Sequence, residues 1–300
     1  MEVICSGLNV VDLLVSVPQI VPKGKKTACD QIIIQGGAPA GNAACALASL
    51  GHSTGFLGYF GDNTLSDIAK YELEKHHVHS DFFKEKKGAT PAIAIVQIDE
   101  EGERTVLYSM SGYTPFSPTD INDKNVAQAK LILVDGYDTV INTHLLNLAK
   151  KFKVRSVLDL ESNNAETMLQ MVKLATDAIL PLEAAQFLTK QLGPKDCLYE
   201  LSKMTEAQLI ITDGTQGSFA FKQGEILHQP AFRVEVVDTT GCGDSFHAAY
   251  ASALLQGMDL KQRMEYASRY ASEVAQHFGG RTFLPDRDYM SKFFPMNIDN

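Results

Sequence analysis

The segment VVDTTGCGDSFHAAYASALLQG, residues 236–257, carries the most informative spacing in the chain. Phe246, Ala249, Tyr250, Ala253 and Leu254 recur at helical intervals, so the pattern predicts a helix from about Asp244, with Gly241-Cys242-Gly243 immediately before it. Such a turn exposes backbone N–H groups at the positive end of a helix dipole, and its glycines let a phosphate approach without a Cβ in the way. An ordinary glycine turn with Asp244 as the helix cap accounts for the same spacing equally well. A second cluster, GGAPAGNAACALASLG at 36–51, runs from an apolar QIIIQ strand into a helix of small residues. Close approach of another group or tight helix-on-sheet packing explains it, and in isolation packing is the simpler account. The third, TDGTQG at 212–217, joins QLIIT to SFAF and by itself is a turn.

Other chemistries are disfavoured. The sequence has no G-x-x-x-x-G-K-[ST], no G-x-G-x-x-G opening a helix after the first strand, and no G-x-S-x-G elbow. His76, His77 and His79 read as the solvated end of a helix rich in Lys and Glu, because their spacing does not put three ligands on one face. His247 lies one turn into the key helix and reads as a packing or locally hydrogen-bonded residue, not a base. Five scattered cysteines without a Cys-x-x-Cys pair suit buried thiols in a reducing compartment. A net charge of −9 argues against nucleic acid as a partner, although a cleft can be locally basic. No apolar run approaches the ~20 residues of a membrane span. The N-terminus carries Glu2 and Asp12 and lacks a basic leader, so the expectation is a cytoplasmic protein.

The elements that must position these residues follow from periodicity. With 300 residues, 45% hydrophobic and 21% charged, the chain can bury a substantial core. From residue 131 onward, apolar runs (LILVD, VRSVLDL, AILP, QLIIT) alternate with amphipathic stretches at 141–152 and 166–175. This is βαβ rhythm, and continuous apolar strands imply helices on both faces of a doubly wound, mostly parallel sheet. The first hundred residues differ: VDLLVSV and QIIIQ lack a helix between them, and AIAIVQI-DEEGE-RTVLY is a hairpin with Gly102 in its turn. A small antiparallel sheet built from about 12–35 and 91–109 is therefore expected to project from the core as a lid, its edge covered by a substrate or a partner subunit. Two helices, 244–256 and 260–277, close the chain, and no linker divides residues 1–300 into separate domains.

Taken together, these segments resemble the ribokinase-like, or phosphofructokinase-B, family of carbohydrate kinases. DTTGCGD at 238–244 is similar to the family's C-terminal signature, D-T-x-G-A-G-D, with Cys242 in place of a common alanine. GLNVVD at 7–12 is similar to its first substrate motif and GGAPAGNAA at 36–44 to its di-glycine signature, in the right order. The resemblance implies an ATP-dependent kinase acting on a small sugar, with Asp244 as catalytic base and Gly241, Cys242 and Gly243 as backbone anion hole. It further implies sugar-binding roles for Asn9, Asp12, Gly37 and Asn42, and a nucleotide loop of Thr212, Gly214 and Gly217 joined by Gly241 and Gly243. Asp238 matches a position that holds a monovalent cation such as K⁺ in many members.

One departure stands out. Where the family carries Asn-x-x-Glu for magnesium and phosphate, this chain reads Leu182 and Ala185. Glu183 is one residue off, which on a helix start turns its direction by about 100°. Mg²⁺ is then expected to arrive on ATP, held mainly by phosphates and water. This loss, with the 228–249 segment, looks most like the ketohexokinase and sulfofructose kinase branch, which implies a ketose substrate. A phosphate or sulfonate on that substrate would need a cation from Lys25, Lys26 or Arg104, whereas lid charges ordinarily just keep an edge soluble. A homodimer through Ile32–Ile34 of the lid is a further expectation. The alternatives are a nucleoside kinase of the same family and a sugar- or nucleotide-binding relative without catalysis.

Overall fold

The computed structural model describes residues 1–18, 23, 24, 26–161 and 164–294. Its strands are β1 (Val3–Ser6), β2 (Val10–Ser16), β3 (Ile32–Gly37), β4 (Thr54–Phe60), β5 (Phe83–Glu85), β6 (Ala92–Ile98), β7 (Arg104–Ser109), β8 (Leu131–Asp135), β9 (Arg155–Asp159), β10 (Asp177–Pro181), β11 (Gln208–Thr212), β12 (Ser218–Lys222) and β13 (Glu225–Gln229). The α-helices are α1 (Pro39–Ser49), α2 (Thr64–Lys75), α3 (Asp123–Gln128), α4 (Thr139–Phe152), α5 (Ala165–Leu174), α6 (Leu182–Thr189), α7 (Pro194–Ser202), α8 (Cys242–Leu255), α9 (Leu260–Val274) and α10 (Arg287–Ser291). None is long and apolar enough to cross a membrane.

The main sheet has the order β13-β12-β11-β10-β9-β8-β1-β4-β5. It is parallel from β11 to β5, with β12 and β13 added antiparallel at one edge. Successive side chains of a strand face opposite sides. Val3, Cys5, Leu133, Val157 and Ile179 therefore join one core with α1, α2, α8 and α9, while Ile4, Val134, Leu158 and Leu180 join another with α4, α5, α6 and α7. Burial on both faces is why these strands read as unbroken apolar runs.

The small sheet has the order β3-β2-β6-β7. Its two hairpins are antiparallel, but β2 pairs with β6 in parallel, so the sheet is mixed and not antiparallel as the sequence suggested. Between β3 and β6 the chain crosses back through α1, β4, α2 and β5, and such a long excursion is what parallel pairing requires. A second difference lies at α8, which begins at Cys242, two residues before the expected start. Gly241 caps it at φ 75°, a left-handed conformation open to glycine, so the glycine turn becomes the helix's first turn. At the other end, α9 stops at Val274, short of His277.

The site lies where β1 and β8 adjoin. From β1 the chain leaves toward β4, from β8 toward β9, and α1 and α4 cover opposite faces, so a crevice opens beyond the strands' C-terminal ends. Asn142 of α4 pins this point: its side chain accepts from Ser6 Oγ at 2.7 Å and donates to the Asp135 carbonyl at 2.8 Å. The Asp135 carboxylate in turn accepts the Leu8 and Tyr137 amides, both at 2.9 Å, and burial pushes it up to about 8. Asn142 is 0% exposed, so Asn142→Ala leaves buried polar groups without partners. It should lower the unfolding free energy by ~1–3 kcal/mol, seen as an earlier urea midpoint at unchanged slope; an unshifted midpoint would mean the strand junction does not depend on it.

Candidate active site

A cavity of about 270 Å³ occupies the crevice. Lid strands β2, β6 and β7 form its roof, and the C-terminal ends of β9 to β11 with the N-terminus of α8 form its floor. Asp244, in the first turn of α8, and Asn42, on α1, both line it, and Asn42 Nδ2 donates to Asp244 Oδ2 at 2.6 Å. Asp12 reaches it from β2 and is buried; burial pushes its carboxyl up to about 6, with Arg281 and Arg104 pulling it down and Asp244 adding to the rise.

The di-glycine segment makes room for side chains. A Cβ on Gly37 would lie 1.9 Å from Asp12 Oδ2, and one on Gly36 or Gly41 would come within 2.1 Å or 2.6 Å of the Arg281 guanidinium. The close approach anticipated from small residues is thus made by a carboxylate and a guanidinium of the protein itself.

A second cavity, of about 800 Å³, runs along the Thr212–Gly217 turn and the 231–239 segment to Phe246. Apolar Phe232, Val234, Val236 and Ala275 line it, which suits a flat base, and it meets the first cavity at Arg104, Thr212 and Gly243. At this junction the first turn of α8 leaves the Gly243 and Asp244 amides without intrahelical partners. The Cys242 amide is engaged, donating to the Thr239 carbonyl at 3.2 Å, and burial pushes the Cys242 thiol up to about 12, so it stays protonated.

The remaining expected residues fall on both sides of the line. Thr212, Gly214 and Gly217 border the second cavity. Arg104 borders both, and its Nη1 donates to the Thr239 carbonyl at 2.8 Å, tying the lid to the loop before α8. Asn9 and Gly37 lie just off the wall: the Asn9 carbonyl accepts from Ala92, and the Gly37 carbonyl from Arg281 Nη2. Lys26 is exposed and away from the cavity, and Lys25 lies outside the described residues. Asp238 is buried, with one carboxylate oxygen accepting the Thr240 amide at 2.7 Å and the other the Gly279 amide at 2.8 Å; it staples two loops. Among the described residues, no group of three or more His, Cys, Asp or Glu could hold a metal ion. Leu182 and Ala185 open α6, Ala185 is buried in the core, and Glu183 is exposed.

Sequence reasoning missed Tyr108, Tyr137, Asp159 and Glu161, which also line the first cavity. Asp159 and Glu161 follow the apolar run of β9 at its C-terminal end, where parallel sheets place ligands, and that position was the available signal. Burial pushes both carboxyls up, and Tyr137 donates its hydroxyl to Glu161. His247 behaves as expected: neutral through burial, its Nδ1 donates to the Gly243 carbonyl at 2.7 Å, and Asp159 lies beside it at 3.2 Å.

Comparisons with known proteins bear on the fold and the family. The chain is 24% identical over 273 residues to a 5-dehydro-2-deoxygluconokinase of Bacillus licheniformis, covering 83% of each. The ribokinase of Arabidopsis thaliana complexed with ribose and ATP superposes with a TM-score of 0.84 at 21% identity, over 99% of both chains. An adenosine kinase of Sinorhizobium meliloti does so at 0.83 and 21% identity, over 95% of this chain and 96% of that one. These likenesses establish a ribokinase-like α/β fold. A model of the pfkB family carbohydrate kinases matches residues 2–287, and with that span the chain belongs to the family and is an ATP-dependent sugar kinase.

Proposed function

We propose that the chain transfers the γ-phosphoryl group of ATP to a hydroxyl of a small neutral sugar of the ketose kind, with Asp244 as base. The observation that carries this reading is the junction of the two cavities at Gly243, beside Asp244. A sugar hydroxyl held against Asp244 gives up its proton to the carboxylate as its oxygen bonds to the phosphorus. The bond to the ADP oxygen breaks, and ADP leaves. The Gly243 and Asp244 amides, at the positive end of α8, face charge on the moving phosphoryl oxygens, where positioning and electrostatics supply most of the catalysis.

The charge of the cavity favours an uncharged acceptor. Asp12, Asp159, Glu161 and Asp244 face it, and among the described lining residues Arg104 is the one Lys or Arg. A phosphate or sulfonate would meet four carboxyl groups. Magnesium carried by ATP neutralises phosphate charge. Asp159 and Glu161 would hold its water shell, and the chemistry fits: Asp159 Oδ2 is buried, and its neighbour His247 Nδ1 at 3.2 Å gives its proton to the Gly243 carbonyl instead. The hairpin tip at Gly102, whose carbonyl accepts from the Thr239 hydroxyl at 3.2 Å, supports a lid that shields the transfer from water. Five free thiols favour a cytoplasmic location.

We also propose that a second copy covers the outer face of the lid. Ile34, Leu13, Ile95 and Leu107 form one row across its four strands, with Ile34, Ile95 and Leu107 exposed by 53%, 42% and 57%.

ADP release from Mg·ATP should be strong with free ketoses and weak with sugar phosphates, sulfosugars and nucleosides; turnover confined to nucleosides would overturn the sugar reading. Asp244→Asn should cut kcat by about 10²–10⁴ without altering folding, and unchanged turnover would remove Asp244 as base. Below about pH 6 Asp12 is protonated and loses acceptor capacity, so the sugar KM should climb from pH 7 to 5 while the ATP KM holds. In Asp12→Asn that climb should vanish, and its persistence would assign the titration elsewhere. Sedimentation should show a dimer that Ile95→Glu converts to a monomer; a monomeric parent protein refutes the pairing.

A further inference from the structure

Arg281 lies after α9, outside every motif that pointed to the site, and is 3% exposed. Its guanidinium fills the space left by Gly36 and Gly41. Nε donates to Asn42 Oδ1 at 2.7 Å, and Nη2 to the Gly37 carbonyl at 2.8 Å. Asn42 Nδ2 then donates to Asp244 Oδ2 at 2.6 Å. We infer that Arg281 is a positioning residue for the phosphoryl transfer: it fixes the Asn42 amide so that its NH₂ faces Asp244, and it supplies a buried positive charge beside Asp12. This inference rests on the reading of Asp244 as base.

The chemistry of the three groups admits one arrangement. A guanidinium only donates hydrogen bonds and a carboxylate only accepts them, while an amide offers one end of each kind. Asn42 between Arg281 and Asp244 therefore satisfies both neighbours in one orientation. Flipped, it sets its oxygen against the carboxylate and its NH₂ against the guanidinium. Both bonds to Asn42 involve a charged partner and are of the stronger class, so the orientation is held firmly.

The backbone brings Arg281 to this place. Gly279 donates its amide to Asp238, and a Cβ on Gly241 would lie 2.9 Å from the Gly280 Cα, so the segment ending in Arg281 packs on the loop that caps α8. Guanidinium, amide and carboxylate are thereby set by contacts outside the cavity, before any substrate arrives.

Arg281 also shapes the charge near Asp12. The charged groups facing Asp12 are Arg281 from the C-terminal segment, Arg104 from β7 and Asp244 from α8. Of the two cations, Arg281 is buried, whereas Arg104 is exposed and screened by solvent. Lysine at 281 would keep the charge but lose the fixed fork that reaches Asn42 and Gly37 at once. Lys and Met substitutions thus separate geometry from charge.

The test compares the parent protein with Arg281→Lys and Arg281→Met, reading kcat, both KM values and the pH at which the sugar KM climbs, together with the side-chain ¹⁵N–¹H₂ signals of asparagine. Arg281→Met should lower kcat about 10²-fold with the ATP KM unchanged, and move the climb in sugar KM to higher pH, since Asp12 loses its buried cation. Arg281→Lys should lower kcat while leaving that pH in place. In the parent protein the Asn42 amide should give two well-separated, slowly exchanging protons, and in Arg281→Met they should exchange quickly. Parent-like kcat in Arg281→Met, or losses of kcat and both KM values that merely follow the unfolded fraction, overturns the inference. An Asn42 amide exchanging freely in the parent overturns it too, even if neither variant folds. If no sugar is turned over, the reading of the reaction fails, while the amide signals still decide whether Arg281 fixes Asn42.

Discussion

The close packing of α1 against α8 is the constraint on which the site depends. Asn42 and Asp244 are 202 positions apart in sequence, yet their side chains meet at 2.6 Å. Short side chains hydrogen-bond across a helix pair only where the backbones approach closely. Ala40, Ala43 and Ala44 on α1 and Ala248, Ala249 and Ala251 on α8 are buried in the same core and keep that approach open. A larger side chain in this seam would act on the distance between Asp244 and the Asn42 amide as much as on stability, because close-packed interiors pass such strain on.

The second constraint is electrostatic. Asp12, Asp135, Asp159 and Glu161 are all raised by burial, so the protein keeps carboxyl groups where water solvates them poorly. A stable core avoids this, and its concentration at one crevice is what makes the crevice the candidate functional site. Each carboxyl has its own means of tolerance. Asp135 accepts backbone amides, Glu161 accepts the Tyr137 hydroxyl, and Asp12 feels the positive charge of Arg281 and Arg104. Asp159 Oδ2 has His247 Nδ1 beside it at 3.2 Å, but that N–H is given to the Gly243 carbonyl, which leaves Asp159 the carboxylate most in need of a cation from outside.

How much was legible in the sequence depended on whether the cause was local. β8 to β11 were readable because burial on both faces imposes apolar runs, and the β6–β7 hairpin because its turn residues lie within it. The parallel pairing of β2 with β6 was not readable, since it follows from the intervening crossing of the main sheet. Asp244 stood out through the glycine turn before its helix, while Asn42 and Asp12 were reached through motifs that resemble those of the family. Asp159 and Glu161 had only their place at the C-terminal end of β9 to mark them. Arg281 had no signal of its own, because what admits it is the absence of side chains at Gly36 and Gly41, some 240 residues earlier.

That last case changes what the di-glycine segment means physically. A glycine inside a helix costs roughly 0.5–1 kcal/mol relative to alanine, and Gly41 sits in α1. If its role were only tight packing on the sheet, alanine would serve nearly as well, as it does at Ala43 and Ala44 in the same buried helix. A Cβ at 41 would instead come within 2.6 Å of Arg281 Nη2, the atom that holds the Gly37 carbonyl. Displacing it costs the guanidinium its hydrogen bond to that carbonyl, and a hydrogen bond to a charged group contributes ~1.5–3 kcal/mol. Losing that bond costs more than the helical glycine does, and the arginine behind position 41 thus gives glycine a reason there that packing alone does not.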